Sequence, residues 1–142
     1  MKILASLLLL FLTSDLNTNV HVNRDISIPT EKTEWEILID KVIQVESEGK
    51  FDAVGDGGKA VGILQIHPIT VRDVNRIIGE DLYSYDDRLC PLKSIEMFEI
   101  YQAYYNPDKN LEKAAKLWNG GPHYYKYPKV ERYWKKINNV KI

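Results

Sequence analysis

Glu46 stands where a helix would ordinarily bury an aliphatic side chain. Across residues 34–47 the apolar positions Leu38, Ile39, Val42 and Ile43 recur at the spacing of one helix face, and Glu46 falls three and four residues beyond the last two. A carboxyl on that face loses the hydration that favours its charged form, so its pKa rises above the usual value of about 4.3. A carboxyl that still holds its proton near neutral pH can serve as a general acid. A plainer reading stays open beside this one. Ser47, Glu48, Gly49 and Lys50 follow at once, so Glu46 could equally be a solvated residue at a frayed helix end.

Other polar residues offer weaker signals. Gln65 closes the run Gly62-Ile63-Leu64-Gln65, where an uncharged amide either lines a cleft or satisfies buried backbone groups. Asn119 sits at a helix stop, a place Asn also occupies for conformational reasons. Asp52 and Asp56 lie near Glu46 in sequence, but both fall in a glycine-rich turn, where Asp is favoured for its hydrogen bonds to the backbone. Acid and base work is often shared between two carboxylates, and no strong second one is visible. His21, His67 and His123 are widely separated and lack partners at metal-ligand spacing, so neither a metal nor a cofactor is expected. Ser47 has no adjacent histidine to activate it, and Cys90 has no nucleophile's partner. The glycines from Gly55 to Gly62 lack the following Lys-Ser or Lys-Thr of a phosphate loop.

Five helices and one small β element would hold these residues. Thr33 with Glu36 has the pattern of a capping box and sets the start of the first helix, residues 34–47. Asp52 to Ile66, with Asp56-Gly57 as a turn signal between short apolar pieces, predicts a β-hairpin or loop. Residues 68–78 form a second helix closed by Gly79. Residues 91–105 carry a wide apolar stripe (Leu92, Ile95, Met97, Phe98, Tyr101, Tyr104, Tyr105) and read as the central helix, buried on most sides. Asn110 caps a short helix reaching Trp118, stopped by Asn119-Gly120-Gly121-Pro122, and residues 129–140 form the last.

The chain of 142 residues is about one domain long, with 44% hydrophobic and 27% charged residues and a formal net charge of -1, which gives no reason to expect nucleic-acid binding. Its charge is unevenly spread. Residues 34–58 hold seven acids against two bases, and residues 109–142 hold nine Lys and Arg against Glu112 and Glu131. That basic end would suit an anionic polymer or be merely a solvated face. Met1-Lys2 before the apolar stretch Ile3 to Leu12 predicts an export signal over residues 1–14, or an uncleaved N-terminal anchor, placing the protein in the periplasm or outside the cell. Residues 15–33 read as a linker and 34–142 as a single monomeric domain. One cysteine, Cys90, excludes an internal disulfide and is expected to be a small buried hydrophobe.

Three separated motifs then align. Glu46-Ser47, Gly62-Ile63-Leu64-Gln65-Ile66 and Trp118-Asn119-Gly120-Gly121, with Tyr133 and Lys136-Ile137 near the end, resemble the catalytic domain of soluble-type lytic transglycosylases over about residues 36–137. The resemblance implies an α+β, predominantly α-helical, lysozyme-like fold acting on peptidoglycan glycan strands. It further implies that Glu46 is the sole catalytic acid and base, that Ser47 and Gln65 lie in the cleft, and that Asn119 and Tyr133 hold the reacting sugar. The family usually carries Ala-Tyr-Asn where this chain has Leu117-Trp118-Asn119, so a phenol hydroxyl is missing and Trp118 receives no catalytic role. The expected reaction cleaves the β-1,4 bond between N-acetylmuramic acid and N-acetylglucosamine, leaving 1,6-anhydro ends. The alternatives are a hydrolysing muramidase of the same fold, with water directed by Asp52 or Asp56, and a glycan-binding or assembly protein without turnover.

Overall fold

A computed structural model describes residues 31–142. The expected export signal (1–14) and the expected linker up to residue 30 lie outside the described residues. The capping box forms as read. Thr33 Oγ1 accepts from the Glu36 amide and Glu36 Oε2 accepts from the Thr33 amide at 2.7 Å, so α1 starts where two otherwise unpaired donors are satisfied. It spans Glu34–Ser47 and buries Trp35, Leu38, Ile39 and Val42.

After α1 the chain makes an antiparallel ribbon, β1 (Val54–Gly55) with β2 (Ala60–Val61), in the register Val54 to Val61 and Gly55 to Ala60. A one-turn 3-10 helix, Asp56–Gly58, joins the strands, and an isolated bridge pairs Val61 with Ile66. Four helices follow: α2 (Pro68–Ile78), α3 (Pro91–Tyr105), α4 (Leu111–Gly120) and α5 (Lys129–Asn139). Short 3-10 turns, Tyr85–Leu89 and Tyr124–Lys126, lead into α3 and α5. The result is the predominantly helical α+β architecture expected from the sequence. Among the described residues no helix is long and apolar enough to cross a membrane.

Phe98, fully buried on α3, marks the centre of the core. Its ring lies 6.1 Å from Trp35 of α1 and 4.8 Å from Trp118 of α4, distances at which tilted and edge-on aromatic pairs attract. Leu64 and Ile66 of the loop after β2 close the core from the hairpin side. Two buried amides fasten the α3–α4 connection. Gln102 Nε2 donates to the Ala114 carbonyl, and Asn106 Nδ2 donates to the Asn110 carbonyl at 3.0 Å.

Several expectations need correction. The buried face of α3 is Ser94, Met97, Phe98, Tyr101 and Gln102, and Leu92 is 73% exposed. Leu92 lies six residues before Phe98, about 120° round the wheel, so it points away from that face. Tyr104 is likewise exposed, and the helix is buried along one side only. The fourth helix does not stop at Trp118. Asn119 and Gly120 continue it, and the chain turns at Gly121, whose φ of 73° and ψ of -173° suit glycine alone. The last helix ends at Asn139, one residue early, and Cys90 is half-buried at the start of α3.

Candidate active site

Glu46 occupies the last turn of α1 on the side of Val42, and its carboxyl faces a cleft of about 290 Å³ lined also by Asp56, Gln65, His67, Thr70, Trp118 and Asn119. The hydroxyl of Tyr133, from the buried face of α5, donates to Glu46 Oε1 at 2.6 Å. Burial is the largest influence on the Glu46 carboxyl and raises its pKa above the usual value. The Tyr133 hydrogen bond and the charge of Lys136 pull the other way and do not cancel it. Burial, followed by the neighbouring Glu46 charge, pushes the Tyr133 phenol well above its ordinary range, so it remains a donor.

Ser47, one residue further, is not in this cleft. Its hydroxyl is buried and donates to the Ile63 carbonyl at 2.8 Å, with the Ile43 carbonyl at 3.2 Å. The expectation of a cleft-lining Ser47 is corrected accordingly, since one step along a helix turns the side chain by about 100°. Ser47 instead ties the end of α1 to the Gly62–Ile66 loop. Removing its hydroxyl would leave a buried carbonyl unpaired, a cost of about 1–3 kcal/mol.

Gln65 does both things its sequence position allowed. It lines the cleft, and its Nε2 donates to the carbonyls of Ala53 (3.1 Å) and Gly62 (3.0 Å). Its backbone is left-handed, with φ 50°. Gly55 makes room for its amide, because a Cβ there would stand 2.4 Å from Gln65 Oε1. Gly62 answers a harder constraint: with φ 83°, a Cβ would come within 1.9 Å of the Arg88 carbonyl oxygen. Arg88 fixes the hairpin from the same side, its Nη1 donating to the carbonyls of Lys59 and Ile66.

Trp118 replaces the missing phenol with an indole N–H, which donates to the Leu64 carbonyl at 3.2 Å. Its ring packs edge-on to Phe98 and Tyr101, so it forms cleft wall and core at once. Asn119 lies on the last turn of α4 and lines the cleft, and its side chain makes no hydrogen bond among the described residues. Glu46, Gln65 and Asn119 therefore share one cleft, and Tyr133 reaches it through Glu46. Of the two acids in the turn, Asp56 lines the cleft, its Oδ2 3.6 Å from His67 Nε2, and Asp52 is exposed and does not. The cleft continues past Asp56, His67 and Asn119 into a hollow of about 780 Å³ between α2 and the start of α5.

Two contributors escaped the sequence reading, the Tyr133–Glu46 bond and the indole donor of Trp118. The first had a signal. Val130, Tyr133 and Ile137 share one face of α5, and a buried tyrosine hydroxyl needs a partner. Among the described residues no group of three His, Cys, Asp or Glu side chains is placed to hold a metal ion.

A mostly helical domain with a two-stranded ribbon and a carboxyl at the end of its first helix, facing a polar cleft, is of the lysozyme-like class. The chain belongs to the transglycosylase SLT domain family, whose model matches residues 27–141. Neither the curated proteins nor the solved structures compared with it include a significant match.

Proposed function

We propose that the protein is a peptidoglycan lytic transglycosylase in which Glu46 is the single general acid and base. The observation that carries this reading is the desolvated Glu46 carboxyl, gripped by Tyr133 at 2.6 Å and open to a cleft shared with Gln65 and Asn119. Its raised pKa keeps a proton available for the glycosidic oxygen. As that proton transfers, the bond from the muramyl C1 to the oxygen breaks, and the sugar's own N-acetyl carbonyl oxygen closes on C1. The 6-hydroxyl of the same sugar then attacks C1 in place of the acetyl oxygen and gives its proton to Glu46. The 1,6-anhydro ring forms, and the acid is restored without water. One carboxyl whose pKa burial raises toward neutrality does both jobs, which relieves the need for a second.

Gln65 and Asn119 are proposed to bind the sugar. Tyr133 is a positioning residue, orienting Oε1 through its hydroxyl. Domains of this family act on peptidoglycan outside the cytoplasm, which supports an exported protein.

A hydrolysing muramidase is the second reading, favoured by one feature: Asp56 lines the same cleft as Glu46 and could direct water to C1. Digestion of purified sacculi with mass analysis of the sugar ends decides between them. Anhydro ends, lighter by one water, are expected, and reducing ends would assign the chemistry to hydrolysis. A Glu46→Gln variant as competent as the parent in its biological assay would instead indicate a binding protein.

A further inference from the structure

Three of the nine basic residues near the C-terminus gather at one hollow. Glu112 and Glu131 are the only acids among residues 109–142, and a single lysine takes both: Lys116 Nζ lies 2.5 Å from each carboxylate. No acidic side chain of that segment is left for Lys129, Arg132 and Lys136, and none of the three forms an ion pair among the described residues. They recur with Tyr133 at the i, i+3, i+4 and i+7 positions of α5 and, with Asn119, line a hollow of about 370 Å³. Like charges so spaced repel one another, so the arrangement works against the helix that carries it.

The position of this hollow is as telling as its charge. Asn119 lines both it and the Glu46 cleft, and Tyr133, on its wall, is the residue that holds Glu46. A sugar bound beside Glu46 would therefore present its substituents to Arg132 and Lys136. The backbone of a peptidoglycan strand is uncharged. Its anions are carboxylates carried by the lactyl substituent of each muramyl sugar, either within the attached peptide or, where the peptide is absent, on the lactyl group itself.

We propose that the Lys129–Arg132–Lys136 hollow is an anion subsite that takes a carboxylate of the muramyl substituent, so that the enzyme selects charged strands. The inference rests on the peptidoglycan reading above and adds a determinant of specificity to it. Arg132 supplies a planar fork matched to a carboxylate, and the two lysines add point charges on either side.

Three forms of strand test it: intact peptide-bearing strands, strands stripped of peptide to leave the free lactyl carboxylate, and intact strands whose carboxylates are capped as neutral methylamides. The capped strands are expected to be cleaved with kcat/KM about tenfold below the intact ones, the gap closing as salt is raised. Stripped strands that keep the intact rate show that the lactyl carboxylate can take the place of the peptide's, and stripped strands as slow as the capped ones show that only a carboxylate of the peptide reaches the hollow. Arg132→Gln and Lys136→Gln should each shrink the intact-to-capped ratio by about two- to fivefold. Lys129→Gln, in the first turn of α5, reads the same ratio should either variant fail to fold. Equal rates on intact and capped strands, or a ratio unmoved in every variant, overturn the subsite and leave the enzymatic reading standing. Failure to cleave any of the three strands would overturn that reading instead.

Discussion

The two walls of the Glu46 cleft are built by different physics. On one side, α1 and α5 bring Glu46 and Tyr133 together by burying apolar faces, so the carboxyl is placed by helix phase and desolvated by its neighbours. On the other, the hairpin and the Gly62–Ile66 loop contribute little apolar area apart from Ile63, Leu64 and Ile66. Their shape comes from hydrogen bonds to backbone carbonyls, made by Gln65, Arg88, Ser47 and Trp118. On the proposed function the helical wall would set the chemistry and the loop wall the shape, and the two should fail differently when altered.

Glu46→Gln should have the largest effect, lowering turnover on purified sacculi by at least about a thousandfold, within the range for loss of a general acid. The same change should make the fold more stable at neutral pH. Because the native pKa of Glu46 is raised, its carboxyl carries no penalty below the unfolded value of 4.5, where both states are protonated. Stability is lost as pH rises through the native pKa, when a desolvated charge has to form. Denaturant titrations at several pH values should find the two proteins alike in acid, with the Gln variant pulling ahead above that range. A stability gap that does not vary with pH would show Glu46 to be solvated.

Gly62→Ala strikes the loop wall. A methyl within 1.9 Å of the Arg88 carbonyl, at a positive φ, should destabilise the fold by about 3 kcal/mol or more, read as a fall in the denaturation midpoint. Gly55→Ala meets only the movable end of Gln65, so it should destabilise the fold far less, by about 1 kcal/mol for disturbing the Gln65 amide bonds, while weakening glycan binding. Equal destabilisation by the two would erase the distinction between a scaffold glycine and a cleft glycine. Tyr133→Phe should have the smallest effect on rate, about tenfold. Its signature is in the pH profile. Loss of a hydrogen bond that favours the charged carboxylate should move the alkaline limb of activity, set by deprotonation of Glu46, to higher pH.

The same contrast explains what could be read from the amino-acid order. The bounds of α1, α2 and α3, the capping box and the inward position of Glu46 follow from periodicity and local hydrogen bonds, and all are present in the structure. The bond of the Ser47 hydroxyl is not legible in the sequence, because its partner, the Ile63 carbonyl, lies sixteen residues away and nothing in serine itself points there. The indole donor of Trp118 reaches fifty-four residues back to Leu64, again to a carbonyl that every residue possesses. Bonds from side chains to distant backbone leave almost no trace in sequence, unlike the local ones of a helix cap. Apolar stripes do, although Leu92 shows that hydrophobicity without phase overstates burial.

The bond from the Trp118 indole to Leu64 also has a mechanical consequence. It bolts α4 to the loop across the floor of the groove, while Ser47 pins the same loop to α1. Both flanks are thus tied to one loop. On the proposed function, a guest would meet a groove fastened on either side, and more of the entropy of ordering would fall on the arriving chain than on its host.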